Sequence, residues 1–366
     1  MISGTLYQPI YLIIVTILSV YVVMRYRIVE AFPHDIEELN MKWLALLLTA
    51  SLVLFIGYRP IADCFGDTMN YVTYYMTFNY GKPFMYIWNI ERGFESPLYD
   101  IMTSFFGSVK LRIENVFLIM SFLYYGGIFV ACKKMFPNDT MLSLLVYLGA
   151  FSTFSFGVNG IRAGIAASLF LIAIAYRDMK WLSFLFLILS MGFHHSMQVP
   201  IVLFLFASFF KNTDFFWAIW IAALIIAALH ITDFQELFAG LTDKQGADYL
   251  IINKKGNVVS GFRADFILYS AIPIFLGYYI IKRLQIQSEI YEFIWNIYVG
   301  TNAVFLLCTY ASFNNRIAYL SWLIYPFVLL YPFLKTDLGD YNYRYLRYVV
   351  YGHLGFTLFM DLVYYS

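Results

Sequence analysis

Four arginines stand where a charged side chain needs a reason to be: Arg59, Arg162, Arg263 and Arg316 each mark a junction between an apolar run and a polar connection. A guanidinium offers a fixed fork of donors that matches phosphate oxygens in two-point contacts, and it stays charged when partly desolvated. A set of four points to an anionic ligand, while any single one also fits snorkelling to lipid headgroups or pairing with a nearby carboxylate. His194, in Phe193-His-His-Ser, ends another apolar run. Its imidazole exchanges a proton near neutral pH and suits a general base, or it bonds a backbone carbonyl at a helix end. Asp67 and Glu91 are the carboxylates placed to orient a base, replace it or hold sugar hydroxyls; pairing with Arg59 or Arg92 is the plainer role. Tyr71, Tyr74 and Tyr75 recur at helical spacing. Aromatic faces pack on sugar rings, and they also form belts at membrane interfaces.

The elements that carry these residues are membrane helices. Of 366 residues, 61% are hydrophobic and 13% charged, with a mean hydropathy of +0.69, whereas soluble domains carry roughly 25% charged residues. No stretch is polar enough to be a soluble catalytic domain. The expected fold class is an all-α polytopic membrane protein with about 12 transmembrane helices, forming a single integral membrane domain over 1–366. The apolar runs are 5–24, 42–58, 114–132, 140–157, 161–176, 181–195, 197–210, 214–231, 264–282, 290–313, 317–334 and 348–364. The apolar piece 94–109 is short and interrupted by Pro97 and Gly107, which suits a re-entrant or interfacial helix on the outer face. A net charge of +1 gives no reason to expect a nucleic-acid partner. Cys64, Cys132 and Cys308 lie far apart without metal-ligand spacing and read as structural.

Lysine and arginine collect in cytoplasmic loops, which sets the orientation. No basic side chain precedes the first run, so that run crosses from outside to inside. Arg25, Arg27 and Lys42, Lys133 and Lys134, Arg177 and Lys180, Lys211, Lys282 and Arg283, and Lys335, Arg344 and Arg347 then all fall inside. The long segments 57–114 and 231–262 fall outside, together with the four arginines and His194. There is no Walker loop, no HExxH pair and no GxSxG elbow, so neither nucleotide-driven nor recognisable metal-dependent chemistry is indicated, and no cofactor is expected. Asp361 is a carboxylate inside the last run.

Four local patterns, in order along residues 59–200, resemble those of the EpsG-type family of bacterial polysaccharide polymerases, counterparts of the Wzy polymerases. They are Arg59 with Gly66-Asp67 and Tyr71; Glu91-Arg-Gly-Phe94; Phe156-Gly-Val-Asn-Gly-Ile-Arg162 before the small-residue run Ala163-Gly-Ile-Ala; and Phe193-His194-x-Ser196. Arg316, in Asn-Asn-Arg-x-x-x-Tyr, extends the similarity. The chain departs from it at Ala163 and Met197, where family members often carry Gln and Ala. The resemblance implies a GT-C-like, membrane-embedded glycosyltransferase of the bacterial cytoplasmic membrane that works at the periplasmic or outer face. Its donor and acceptor would be undecaprenyl-diphosphate-linked oligosaccharides, and a polysaccharide co-polymerase that sets chain length would be a partner. In that reading Arg59, Arg162, Arg263 and Arg316 hold the diphosphate, His194 is the first choice of base before Asp67 or Glu91, and Tyr71, Tyr74 and Tyr75 hold sugar. A flippase of lipid-linked oligosaccharides, and an O-antigen ligase or a membrane acyltransferase, are the rival readings. A transporter commonly shows two related halves, and no such repeat is visible in the chain.

Overall fold

The computed structural model describes residues 2–31, 41–86, 96–235, 237–238, 261–338 and 341–364. Every regular element among them is helical. They form two compact units, Met1–His194 with Tyr343–Ser366, and His195–Asn342.

The first unit contains α1 (Tyr7–Ala31), α2 (Lys42–Gly57), α3 (Thr68–Phe78), α4 (Pro97–Ser108), α5 (Ile113–Met135), α6 (Thr140–Leu148), α7 (Thr153–Val158), α8 (Ile161–Ala175) and α9 (Lys180–Phe193). Helix α5 packs against both α2 and α8, and α8 packs in turn against α9. Helices in lipid gain nothing from burying apolar surface against one another, so close approach and interhelical hydrogen bonds hold them together. The small residues of α8 supply the first, and serines supply the second. Ser168 Oγ donates to the Leu123 carbonyl of α5 at 3.2 Å, while Ser183 Oγ and Ser190 Oγ of α9 donate to the Ala173 and Ala166 carbonyls of α8 at 2.8 and 2.7 Å.

The apolar run 140–157 is two short helices with a break between them. Each carbonyl freed at the end of α6 has a side-chain partner brought from elsewhere in the unit. His353 Nε2 lies 3.0 Å from the Val146 oxygen, Thr153 Oγ1 donates to Tyr147, Tyr11 Oη to Leu148 and Thr357 Oγ1 to Gly149, each at 2.7 Å. Irregular backbone inside a membrane protein is tolerated where such partners satisfy it.

The unit has two chemically different ends. Helix α5 carries Arg112 at its start and Lys133 and Lys134 in its last turn. The Lys134 ammonium lies 5.2 Å from the ring centre of Tyr176, which follows the end of α8, so Arg162 at the start of α8 is at the opposite end. Lys180 opens α9 and His194 closes it. Exposed Trp43 and Trp181 follow Lys42 and Lys180, an aromatic and basic border of the kind found at membrane interfaces.

The second unit contains α10 (Gln198–Phe209), α11 (Thr213–Ala228), α12 (Ala264–Lys282), α13 (Glu289–Leu307), α14 (Asn314–Trp322) and α15 (Tyr325–Lys335). Helix α13 touches each of the others and is buried over most of its surface. Trp220 Nε1 donates to Asn302 Oδ1 at 2.8 Å, Asn302 Nδ2 to Ser321 Oγ at 3.0 Å and Trp322 Nε1 to Ser270 Oγ at 2.8 Å. Lys211 pairs with Glu289 and Lys282 with Asp214, so these charges share one end of the unit. Arg263, at the other end of α12, and Arg316, beyond the far end of α13, belong to the opposite end. The chain's last helix, α16 (Tyr341–Phe359), belongs almost wholly to the first unit and runs into a π-helical turn, Met360–Tyr364.

Five described helices are long and apolar enough to cross a membrane: Gly4–Arg25, Ile113–Met135, Ala264–Lys282, Glu289–Leu307 and Asn314–Lys335. Five more are apolar but shorter: Lys42–Gly57, Ile161–Ala175, Lys180–Phe193, His195–Phe209 and Thr213–Ala228. This is a multi-pass membrane architecture. Of the expected outer segments, the 57–114 stretch holds α3 and α4, and most of 231–262 lies outside the described residues. At about 1.5 Å per residue the 12 residues of α4 span ~18 Å, too short to cross.

Candidate functional site

The Arg59 pattern and the Phe156-to-Arg162 pattern meet in the first unit. Gly66 has φ +58° and ψ −116°, a backbone shape that L side chains rarely adopt, and a Cβ there would lie 2.6 Å from Asn159 Oδ1. The turn it allows brings the Asp67 N–H onto Asn159 Oδ1 at 2.7 Å. Arg59 fixes the other side of the loop. Its Nη1 donates to the Ile56 carbonyl at 3.0 Å, and its Nη2 to Thr68 Oγ1 at 3.0 Å and the Val158 carbonyl at 3.2 Å. Thr68 Oγ1 also donates to Val158 at 3.0 Å. The guanidinium carbon sits 4.6 Å from the ring centre of Phe117 and 5.6 Å from that of Phe65. With only 3% of the residue exposed, burial lowers the Arg59 pKa to about 10, so it is still charged at neutral pH. Arg59 therefore joins the loop to the end of α7, with both terminal nitrogens engaged by protein oxygens.

Arg162 is differently placed. It lies in the first turn of α8, half-buried, and its Nη1 donates to Ser96 Oγ at 3.2 Å while its guanidinium carbon lies 5.7 Å from the ring centre of Tyr99. Tyr99 in turn lies 6.1 Å from Tyr71, ring centre to ring centre. Asp100 Oδ1 accepts from Tyr74 Oη at 3.2 Å, and Asp100 Oδ2 from the Ser96 N–H at 3.4 Å. Burial pushes the Tyr99 hydroxyl well above the usual phenol value, so it remains a neutral donor. Tyr71 and Tyr74 of α3 thus face the Tyr99, Asp100 and Arg162 group. Tyr75 is buried instead, its hydroxyl bonded to the Leu111 carbonyl at 2.7 Å.

Asp67 precedes α3 and accepts from Asn70 Nδ2 at 3.1 Å. His194 is the half-buried residue that ends α9, in extended conformation with φ −155° and ψ 124°. Two residues earlier a Cβ on Gly192 would lie 2.6 Å from Leu98, so the end of α9 rests directly on the first turn of α4, beside Tyr99 and Asp100 in sequence. Glu91 and the rest of Glu91-Arg-Gly-Phe94 lie outside the described residues.

The remaining two arginines belong to the second unit. Arg263 is held by Asp265 in a two-point ion pair, Nε to Oδ1 at 2.9 Å and Nη2 to Oδ2 at 2.6 Å, and lies 3.7 Å from the ring centre of Phe266. Arg316 is exposed in the first turn of α14, following Phe313, whose φ of +53° is left-handed.

Sequence reasoning missed Ser96 and Asp100, gave Asn159 no role within its pattern, and offered the Arg263 partner only as a nearby carboxylate. Pro97 reads in the sequence as an interruption, whereas it stands at the first position of α4, where its missing N–H costs nothing. Ser-Pro-x-x-Asp is a helix-start signature, and it was the available signal for Ser96 and Asp100. Among the described residues no three His, Cys, Asp or Glu side chains gather in a way that would hold a metal ion.

Within the first unit the Arg59 and Phe156-to-Arg162 patterns share direct contacts, and His194 ends the helix that rests on α4. The family model that matches this sequence is that of the EpsG family, over residues 42–365. No curated protein and no solved structure gives a significant match. With the match running from α2 to the last residues of the chain, the protein belongs to the EpsG family.

Proposed function

We propose that the chain is a membrane-embedded glycosyltransferase that polymerises undecaprenyl-diphosphate-linked oligosaccharide repeat units into O-antigen or exopolysaccharide at the outer face of the bacterial cytoplasmic membrane. The observation that carries this reading is the group at one end of the first unit: Arg162 beside Ser96, with Tyr99, Tyr71, Tyr74 and Asp100 around it, opposite the basic end. It combines a cation for a phosphate with aromatic and hydroxyl groups suited to sugar.

In the reaction, a hydroxyl of the acceptor unit attacks the anomeric carbon that joins the growing glycan to its lipid diphosphate. A new C–O bond forms, the bond from that carbon to the phosphate oxygen breaks, and the lipid diphosphate leaves with the electron pair. Arg162 offsets the charge that develops on the leaving oxygen, and such stabilisation is commonly the largest catalytic contribution. His194 takes the acceptor proton, with Asp67 and Glu91 as the next candidates. Arg263 and Arg316 are secondary contacts for the lipid diphosphate in this reading, and a polysaccharide co-polymerase is the proposed protein partner. Purified protein in proteoliposomes, given lipid-linked repeat units with EDTA and no nucleotide, should produce a ladder of lengthened glycans. Transfer of the lipid-linked unit between leaflets without any ladder would instead make the protein a flippase.

A further inference from the structure

The carboxylate of Asp100 takes no part in the chemistry above, yet it is buried, with 5% of the residue exposed, and two contacts through Ser96 tie it to Arg162. Ser96 occupies the N-cap of α4. A serine there ordinarily turns its hydroxyl onto the free N–H groups of the first helical turn. Ser96 makes no such bond; its Oγ accepts from Arg162 instead. Asp100 does the backbone work in its place, reaching back along the helix to the Ser96 N–H at 3.4 Å. This resembles the acidic half of a capping box, one residue further into the helix. The other oxygen of Asp100 accepts the Tyr74 hydroxyl, which ties α3 to α4 at the same point. Asp100 lies in the first turn of α4, the end of a helix that complements a negative side chain.

We propose that Asp100 is the positioning residue for Arg162: it fixes the backbone and hydroxyl of Ser96 and the ring of Tyr74, so that the guanidinium is held in one orientation over Tyr99 to meet a diphosphate. The proposal rests on the reading of Arg162 as the diphosphate-binding residue, and adds the group that orients it. A bidentate fork is worth more than a mobile charge only when its plane is fixed. Ser96 therefore gives up its capping bond in favour of Arg162, with Asp100 compensating.

The test uses the full-length protein in proteoliposomes, with undecaprenyl diphosphate as the binding probe and glycan elongation as the activity. Asp100→Asn and Ser96→Ala should each weaken probe binding and lower kcat/KM about tenfold, with thermal unfolding within a few degrees of wild type. In an Arg162→Lys background neither should cause a further loss, because the fork they orient is already gone. If both variants lower activity by the same factor in the wild-type and Arg162→Lys backgrounds, Asp100 does not act through Arg162 and the proposal is overturned. Should Asp100→Asn fail to fold, Ser96→Ala decides, since it removes the hydroxyl and leaves the carboxylate in place; wild-type binding and kcat/KM would overturn the proposal. If Arg162→Ala itself leaves probe binding and elongation unchanged, the reading of Arg162 fails and the proposal falls with it. A tenfold loss confined to the Arg162 background supports both.

Discussion

Arg59 and Arg162 carry the same chemical group and meet different surroundings, and that difference divides their roles. Arg59 is buried, and its two terminal nitrogens bond three protein oxygens, one of them on Val158, 99 positions along the chain. Removing the fork takes three charge-assisted hydrogen bonds out of a buried site, each worth about 1.5–3 kcal/mol. Arg59→Lys should therefore unfold at a clearly lower temperature than wild type in detergent, because a single ammonium cannot reach Ile56, Thr68 and Val158 together. Unchanged melting would refute the role of Arg59 as a clamp. Arg162, half-buried at a helix start, should behave in the opposite way. Arg162→Ala is expected to leave melting nearly unaltered and to reduce elongation by ~10²–10³-fold, the loss typical of one preorganised donor to developing charge. The sequence showed that both arginines stand at the same kind of junction. It did not show which of them is buried, because Val158 and Phe117, which close over Arg59, arrive through long-range packing. The Arg263 pair with Asp265 is two residues long and was legible as the plain local alternative.

Helices and turns place these side chains, and the most demanding element is the turn at Gly66. Any side chain there meets both an unfavourable backbone shape and Asn159, and backbone strain of this kind costs about 1–3 kcal/mol. Gly66→Ala should reduce elongation and expose the 59–68 loop to protease, and Asn159→Ala, which removes the acceptor of the Asp67 N–H, should share part of that phenotype. A Gly66→Ala protein with normal protease resistance and activity would show that the loop is held by other means. Apolar runs foretold most helices to within a few residues. The break at 149–152 was not foreseeable locally, because an apolar run through Leu148, Gly149, Ala150 and Phe151 looks continuous. What permits the break is a set of partners on distant helices, Tyr11, His353 and Thr357, and no window of sequence contains them. Pro97 shows the reverse case, a residue read as a breaker that begins a helix.

At the scale of the molecule, composition alone identified a helical membrane protein, and in the first unit Lys133, Lys134 and Lys180 stand at the end opposite Arg162. Cys64 offers a direct check of sidedness, since it is exposed beside Gly66 and Asp67 while Cys132 and Cys308 are buried. In intact spheroplasts a membrane-impermeant maleimide should label wild-type protein at Cys64, and a Cys64→Ala, Lys180→Cys variant should label only after the membrane is opened; the reverse pattern would invert the topology. The central claim, that Arg162 and its neighbours serve glycan transfer, is tested most directly by the reconstituted assay with lipid-diphosphate-linked repeat units, EDTA and no nucleotide, run on wild type and on Arg162→Ala. The account predicts a ladder of lengthened glycans from wild type and its loss in a folded Arg162→Ala protein. A ladder of equal yield from both proteins would contradict it.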